Sequence, residues 1–164
     1  AWLVVARRRR ERSIPARLAR ACDDMLTAVL IPTGEAGHIH IEYALLTPRE
    51  IVILDTRDVE GNVFGSETMP EWTVLASNRR FTFANPLPAL YDRLAAVKRL
   101  LPDVPVAGYV GFTSRATFSK GQPPKVVMLD HWIDGVRDPA AVATVDAEVL
   151  KAAWQRLRAA AEQP

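Results

Sequence analysis

The sequence has little cysteine, no long hydrophobic run and no strongly basic folded region, and each absence excludes a class of protein. Its 164 residues include one cysteine, Cys22, so an internal disulfide is excluded, and no CxxC or Cys/His spacing indicates structural zinc. We therefore expect a reducing, cytoplasmic setting. With 49% hydrophobic residues and no internal repeat, the chain can build the core of one globular domain.

The net charge of +2 hides an uneven distribution. Residues 1–12 contain five arginines and one glutamate, so residues 13–164 keep 16 basic and 18 acidic residues, a net charge of −2. Strong nonspecific binding to duplex DNA normally needs a basic face. Any contact with nucleic acid must therefore depend on a local site.

The segment 1–12 joins a short apolar run, residues 1–6, to an arginine cluster at residues 7–10. A chain that leaves a bilayer into the cytoplasm often has an apolar end followed by basic residues, although a full span needs roughly 20 apolar residues. Two interpretations stay open: a juxtamembrane segment on the cytoplasmic face of a membrane, or a disordered basic arm. Residues 13–164 are expected to form the folded domain.

The hydrophobic pattern of the folded domain predicts three helices and seven strands. The predicted helices cover residues 14–26, 86–101 and 138–161. The predicted strands cover residues 27–31, 38–46, 51–57, 72–76, 79–83, 105–112 and 125–129. This order predicts an α/β fold, with a central mixed sheet that contains antiparallel strands and is flanked by helices. Trp154 and Leu157 on the last helix are expected in the core, and its alanine-rich face leaves a homodimer open.

The strand 51–57 ends in charged residues, which raises the question of what lies opposite them. If strands 38–46 and 51–57 form an antiparallel hairpin closed over residues 47–50, directly opposed side chains lie about 5 Å apart at Cβ. The facing pairs are then Leu46 with Ile51, Glu42 with Asp55, and His40 with Arg57. One face would gather two carboxylates, a histidine and an arginine.

Two interpretations of this cluster remain open. Opposed carboxylates destabilise a sheet unless a cation lies between them, and Glu42 and Asp55 could together bind Mg²⁺ or Mn²⁺. Alternatively, Arg57 neutralises both acids on an exposed face. A third, weaker pattern is the sequence HxHxE, which would place His38, His40 and Glu42 around a transition metal as in cupin-type enzymes. Alternate strand residues lie almost 7 Å apart, which is a wide span for ligands of one ion.

The motifs along residues 13–130 resemble those of the nuclease-related domain, NERD. The matching places read His40-Ile41-Glu42-Tyr43, Asp55-Thr56-Arg57, Gly61, Trp72 and Asn85-Pro86. The family is similar to PD-(D/E)xK nucleases. The resemblance implies a restriction-endonuclease-like core with Glu42 and Asp55 as ligands of Mg²⁺ or Mn²⁺, and with Arg57 at the position of the family's lysine.

The implied activity is metal-assisted hydrolysis of DNA phosphodiesters, with Arg57 stabilising the developing charge and His40 orienting or deprotonating the attacking water. Three family features differ in this chain: the acids have exchanged places, arginine replaces lysine, and the first helix lacks Gly-Glu. Because arginine cannot act as a base, a second hypothesis stays open. It is a catalytically degenerate module of the same fold that binds nucleic acid or a protein partner.

Overall fold

A computed structural model of the chain describes residues 14–164. The predicted juxtamembrane or disordered segment 1–12 lies outside these residues. The fold begins with a helix over residues 14–21, α1. The other elements are β1 (Asp24–Pro32), β2 (His38–Leu46), β3 (Ile51–Arg57), β4 (Gly61–Phe64), β5 (Glu71–Ala76), β6 (Arg79–Ala84), α2 (Leu87–Leu100), β7 (Val106–Phe112), β8 (Ala116–Thr117), β9 (Val126–Met128), α3 (Leu129–Gly135) and α4 (Ala147–Ala160).

A five-stranded mixed sheet forms the centre, in the order β1-β2-β3-β7-β9. The pairs β1–β2 and β2–β3 are antiparallel, whereas β3–β7 and β7–β9 are parallel. A smaller sheet of order β6-β5-β4-β8 takes three strands from the chain between β3 and α2, and its fourth strand, β8, from the chain after β7. The predicted α/β fold with a central mixed sheet flanked by helices is confirmed.

Each face of the central sheet is covered by helices because its strands are apolar on both sides. The larger core lies between the sheet, α2, α4 and the smaller sheet, and includes Leu94 and Trp154. The second core lies against α1 and α3 and includes Leu18 and Leu129. Trp154 and Leu157 are buried, as expected.

Two predicted helices are shorter than their apolar pattern suggested. The first ends at residue 21 rather than 26, because Asp24 begins β1. The last begins at Ala147, where Asp146 accepts a hydrogen bond from the Glu148 amide at 2.8 Å. Asp138 makes the same kind of bond to the Ala140 amide, at 2.9 Å, but caps only a turn. The helix α3 was not predicted.

Cys22 is 5% exposed in the core beneath α1, and burial raises the pKa of its thiol to about 11; Asp23 adds to this effect and Arg137 opposes it. Because the thiolate is the reactive form, we expect native protein at pH 8 to resist a disulfide reagent such as Ellman's reagent. The same protein in guanidinium chloride should react at once. Rapid labelling under native conditions would contradict this burial.

Within residues 14–164, no helix is long and apolar enough to cross a membrane.

Candidate functional site

Strands β2 and β3 part at the position where the carboxylates were expected to meet. Their pairing runs from Leu46–Ile51 to Tyr43–Leu54, which confirms the predicted register over four pairs. The predicted pairs Glu42–Asp55 and His40–Arg57 are not formed between these two strands. Beyond Leu54, β3 continues to pair with β7 while β2 continues to pair with β1. The hairpin therefore opens into a gap at Glu42 and Asp55.

A reversal of side-chain direction accompanies this opening. Ala28 in β1 has φ = +50°, a left-handed conformation that is unusual for alanine. Pairing of β1 with β2 skips Ala28 and Glu42, between the pairs Thr27–Tyr43 and Val29–Ile41. The alternation of side chains along both strands shifts by one residue there, so Ile41 packs on the α2 side of the sheet. Glu42 consequently turns to the opposite side.

The two carboxylates therefore have different partners. Glu42 accepts a short hydrogen bond from the Thr56 hydroxyl. Asp55, the neighbour of Thr56 in β3, points to the other face, because successive strand residues alternate. The expectation that one face gathers Glu42 and Asp55 is wrong, and the physical reason is the left-handed residue at Ala28.

Arg93 of α2 fills the gap between the strands. Its Nη1 donates to Asp55 Oδ2 at 2.9 Å, and its Nε donates to the main-chain oxygen of His40 at 2.8 Å. The Asp55 side chain is 3% exposed and that of Arg93 is 23% exposed. A single guanidinium thus neutralises the buried acid and bridges β2 to β3. The alternative interpretation named Arg57 for this neutralisation, but the neutralising cation is Arg93.

These contacts decide whether the carboxylates could bind a divalent metal ion. Mg²⁺ and Mn²⁺ need several oxygen ligands that converge on one point. One carboxylate is bonded to Arg93 and the other lies on the opposite face. Among residues 14–164, no group of three or more His, Cys, Asp or Glu side chains is placed to hold a metal. The residues at the family's metal position do not fit the ion in this arrangement.

Arg57 lies at the carboxyl end of β3, on the same face as Asp55. Its Nη1 donates to the Thr56 main-chain oxygen at 2.9 Å, and no described carboxylate forms an ion pair with it. Most N–H donors of this half-buried guanidinium are therefore available to a ligand.

Two further acids at this end of the sheet, Asp58 and Glu60, form ion pairs with Arg115. Arg115 donates to Asp58 at 3.1 Å and to Glu60 at 2.5 Å. The hydrogen bond with Glu60, together with Asp58, raises the pKa of Arg115 against the opposing effect of burial. Thr113 also donates to Asp58, at 2.8 Å. This cluster closes the loop after β3 and leaves Arg57 beside it.

The histidines of the HxHxE pattern do not form a metal site. The His38 and His40 side chains are exposed, and His38 Nε2 lies 3.3 Å from Glu162. Glu42 is directed to Thr56 instead. The cupin-type interpretation is wrong because the three side chains do not converge.

The comparison with protein families gives one match: the model of the nuclease-related domain covers residues 7–113. The chain belongs to the nuclease-related domain family. No curated protein and no solved structure matches it. NERD membership implies a nuclease-related function in general, and the roles of Glu42, Asp55, Arg57 and His40 stay predictions.

Two residues at NERD motif positions have clear structural roles here. Asn85 Nδ2 donates to the main-chain oxygens of Glu67 at 3.0 Å and Met69 at 2.9 Å, while its Oδ1 accepts from the Leu87 amide at 2.9 Å. It thereby ties the loop after β4 to the start of α2. The Trp72 indole donates to the Ser66 oxygen of the same loop at 2.9 Å.

The sequence pattern did not predict that Arg93 is the partner of Asp55. A signal for it was present, since Arg93 lies three residues after Leu90 and four before Val97, both on the buried side of α2. A charged residue on that stripe needs a buried or half-buried partner.

Proposed function

We propose that this NERD domain is a catalytically degenerate module that binds DNA phosphates through Arg57 and does not hydrolyse them. The observation that carries the proposal is the Arg93–Asp55 ion pair, which puts a fixed guanidinium where a metal-dependent nuclease would need an ion. The acid that would hold the metal is then committed to a structural pair. The Glu42 carboxylate, committed to Thr56, adds to this argument.

Arg57 supports the binding half of the proposal. A guanidinium offers five donors in a planar fork that matches phosphate oxygens, and Arg57 spends one of its hydrogen bonds on a neutral carbonyl. Residues 13–164 carry a net negative charge, so affinity for duplex DNA should be modest and should depend on this local site.

Binding is tested by fluorescence anisotropy of a labelled duplex without divalent metal. We expect Arg57→Ala to weaken binding about tenfold, the loss of one charge-assisted contact, and to lower the salt slope by about 0.9. Arg57→Lys should retain part of the affinity. Arg20→Ala, which removes an exposed arginine from α1 on the other side of the sheet, is the matched control and should bind like wild type. Equal affinity of wild type and Arg57→Ala would refute the binding site.

The second candidate is hydrolysis of DNA dependent on Mg²⁺ or Mn²⁺, with Glu42 and Asp55 as ligands and His40 near the attacking water. The observation that favours it is that Asp55 and Arg57 share one face of β3, as the acid and lysine do in the resembling nucleases. Nicking of supercoiled DNA in Mn²⁺ by wild type, lost in Asp55→Asn, would establish it and overturn the degenerate module. Absence of nicking, or nicking equal in both proteins, supports the proposal.

A further inference from the structure

A cleft of about 280 Å³ opens at the other end of β3, far along the strand from Arg57. It lies on the sheet face that α1 and α3 cover, since its floor residues Val52 and Tyr109 belong to the core on that side. Arg49, Glu50 and the α3 residues His131 and Trp132 contribute to its walls. The family motifs do not include this cleft.

The turn between β2 and β3 fixes the polar wall. Thr47 is 3% exposed; its hydroxyl donates to the Glu50 main-chain oxygen at 2.7 Å and accepts from the Glu50 amide at 3.1 Å. The next residue, Ile51, donates its amide to the Pro105 oxygen at 3.2 Å. Because these hydrogen bonds hold the turn, the backbone at Arg49 and Glu50 is fixed before a ligand binds.

The carboxylate of Glu50 has no hydrogen bond or ion pair with any side chain in the described part of the chain. It is half-buried, and burial raises its pKa, while Arg49 and Lys125 act in the opposite direction. A half-buried carboxylate that accepts no side-chain hydrogen bond has lost part of its hydration and keeps acceptor sites open to a ligand. A ligand with two N–H donors would restore both hydrogen bonds.

Two aromatic side chains stand beside this acid. The rings of Tyr109 and Trp132 have centroids 6.0 Å apart and an interplanar angle of 51°. Trp132 is half-buried, so part of its ring is open to a planar ligand. In other proteins such rings bind nucleobases by stacking. Arg49 and His131 line the same cleft.

We propose that the cleft binds a guanine nucleotide, with the base against Trp132, its Watson–Crick N–H donors on Glu50, and its phosphate beside Arg49 and His131. An ionised carboxylate only accepts hydrogen bonds. Guanine presents two adjacent N–H donors on that edge, whereas adenine and cytosine place an acceptor next to their donor and uracil flanks its donor with acceptors. The cleft therefore offers a carboxylate for the base and basic side chains for the phosphate. This site is separate from Arg57, so failure of either proposal leaves the other intact.

The test is calorimetric titration of the purified protein with guanosine monophosphate, adenosine monophosphate and inorganic phosphate. We expect at least tenfold tighter binding of the guanine nucleotide than of the adenine nucleotide. Glu50→Gln should lose at least tenfold in affinity for the guanine nucleotide and most of the preference. Glu148→Gln, an exposed glutamate on α4, is the matched control and should bind like wild type. Thermal melts of each variant verify that the fold is kept.

The phosphate end is tested separately. Arg49→Ala should weaken guanosine monophosphate several-fold and leave guanosine itself almost unaffected. An oligonucleotide with a terminal guanine distinguishes the source of the ligand: tighter binding than the mononucleotide assigns the cleft to a strand end, and weaker binding assigns it to a free nucleotide. Equal affinity for guanine and adenine nucleotides, wild-type affinity in Glu50→Gln, or no binding of either nucleotide overturns the proposal.

Discussion

Arg93→Ala should lower the free energy of unfolding by about 3–5 kcal/mol, the cost of leaving a buried charge without its partner. The Asp55 side chain is 3% exposed, so removal of the guanidinium leaves a buried carboxylate without its cation. The substitution also removes the bond to the His40 main-chain oxygen, which joins β2 to β3 where their direct pairing has ended. Urea denaturation followed by circular dichroism measures the change.

The effect of Asp55→Ala on stability depends on whether Arg93 is present. Asp55→Ala should cost less than Arg93→Ala, because the remaining guanidinium is 23% exposed and keeps its bond to His40. Adding Asp55→Ala to Arg93→Ala should restore part of the stability, since the uncompensated carboxylate is then gone. Arg156→Ala, which breaks an exposed ion pair with Asp103, is the control and should cost about 0–1 kcal/mol.

The same variants bear on the proposed function. If Arg93→Ala costs no more than the Arg156 control, Asp55 is solvated rather than locked and remains available to a metal. A rise in the melting temperature of wild type in millimolar Mn²⁺, absent from Asp55→Asn, would point the same way, because a ligand stabilises the state that binds it. Either result would favour the hydrolytic candidate over the degenerate module.

Much of the sheet could be predicted because its strands carry clear patterns. The bounds of β2 and β3 agree with the predicted strands 38–46 and 51–57, and the short turn between them fixed the register over four pairs. The last helix was harder, because Asp138 and Asp146 are both good helix caps. Val142 is 82% exposed and Val145 is only partly buried against the core, so a helix over the segment between these two aspartates would bury little apolar surface.

The site could not be predicted to the same depth, for two physical reasons. A single left-handed alanine at position 28 reverses which side of the sheet Glu42 occupies, and alanine carries no sequence signal for that conformation. The cation that completes the site comes from α2, and a strand pattern specifies neighbours within a sheet but not the partners that pack upon it. The alternative interpretation named Arg57 as the cation that neutralises both acids, whereas Arg93 neutralises Asp55 and the Thr56 hydroxyl bonds Glu42.

Trp72→Ala should destabilise the domain by about 3–5 kcal/mol, the range for loss of a buried aromatic side chain. The indole has 0% exposure, stacks on Phe112 with centroids 6.4 Å apart, and meets Phe83 edge-on at 5.9 Å. It therefore joins the smaller sheet to the last residue of β7. Trp132→Ala, which truncates a half-buried tryptophan, is the control and should cost less. A loss at position 72 no larger than this control would contradict the assignment.

Gly65 lies against the Trp72 ring, and its substitution tests this contact because the expected change in stability differs between wild type and Trp72→Ala. A Cβ at position 65 would overlap the Trp72 ring, so Gly65→Ala should destabilise wild type by about 1–3 kcal/mol. The backbone at Gly65 is not left-handed. In the Trp72→Ala background the overlap is gone, and the same substitution should then be neutral or stabilise by up to about 1 kcal/mol through reduced freedom of the unfolded chain. An equal cost in both backgrounds, measured by urea denaturation, would mean that the tryptophan does not lie on the glycine, because substitutions of residues in contact are non-additive.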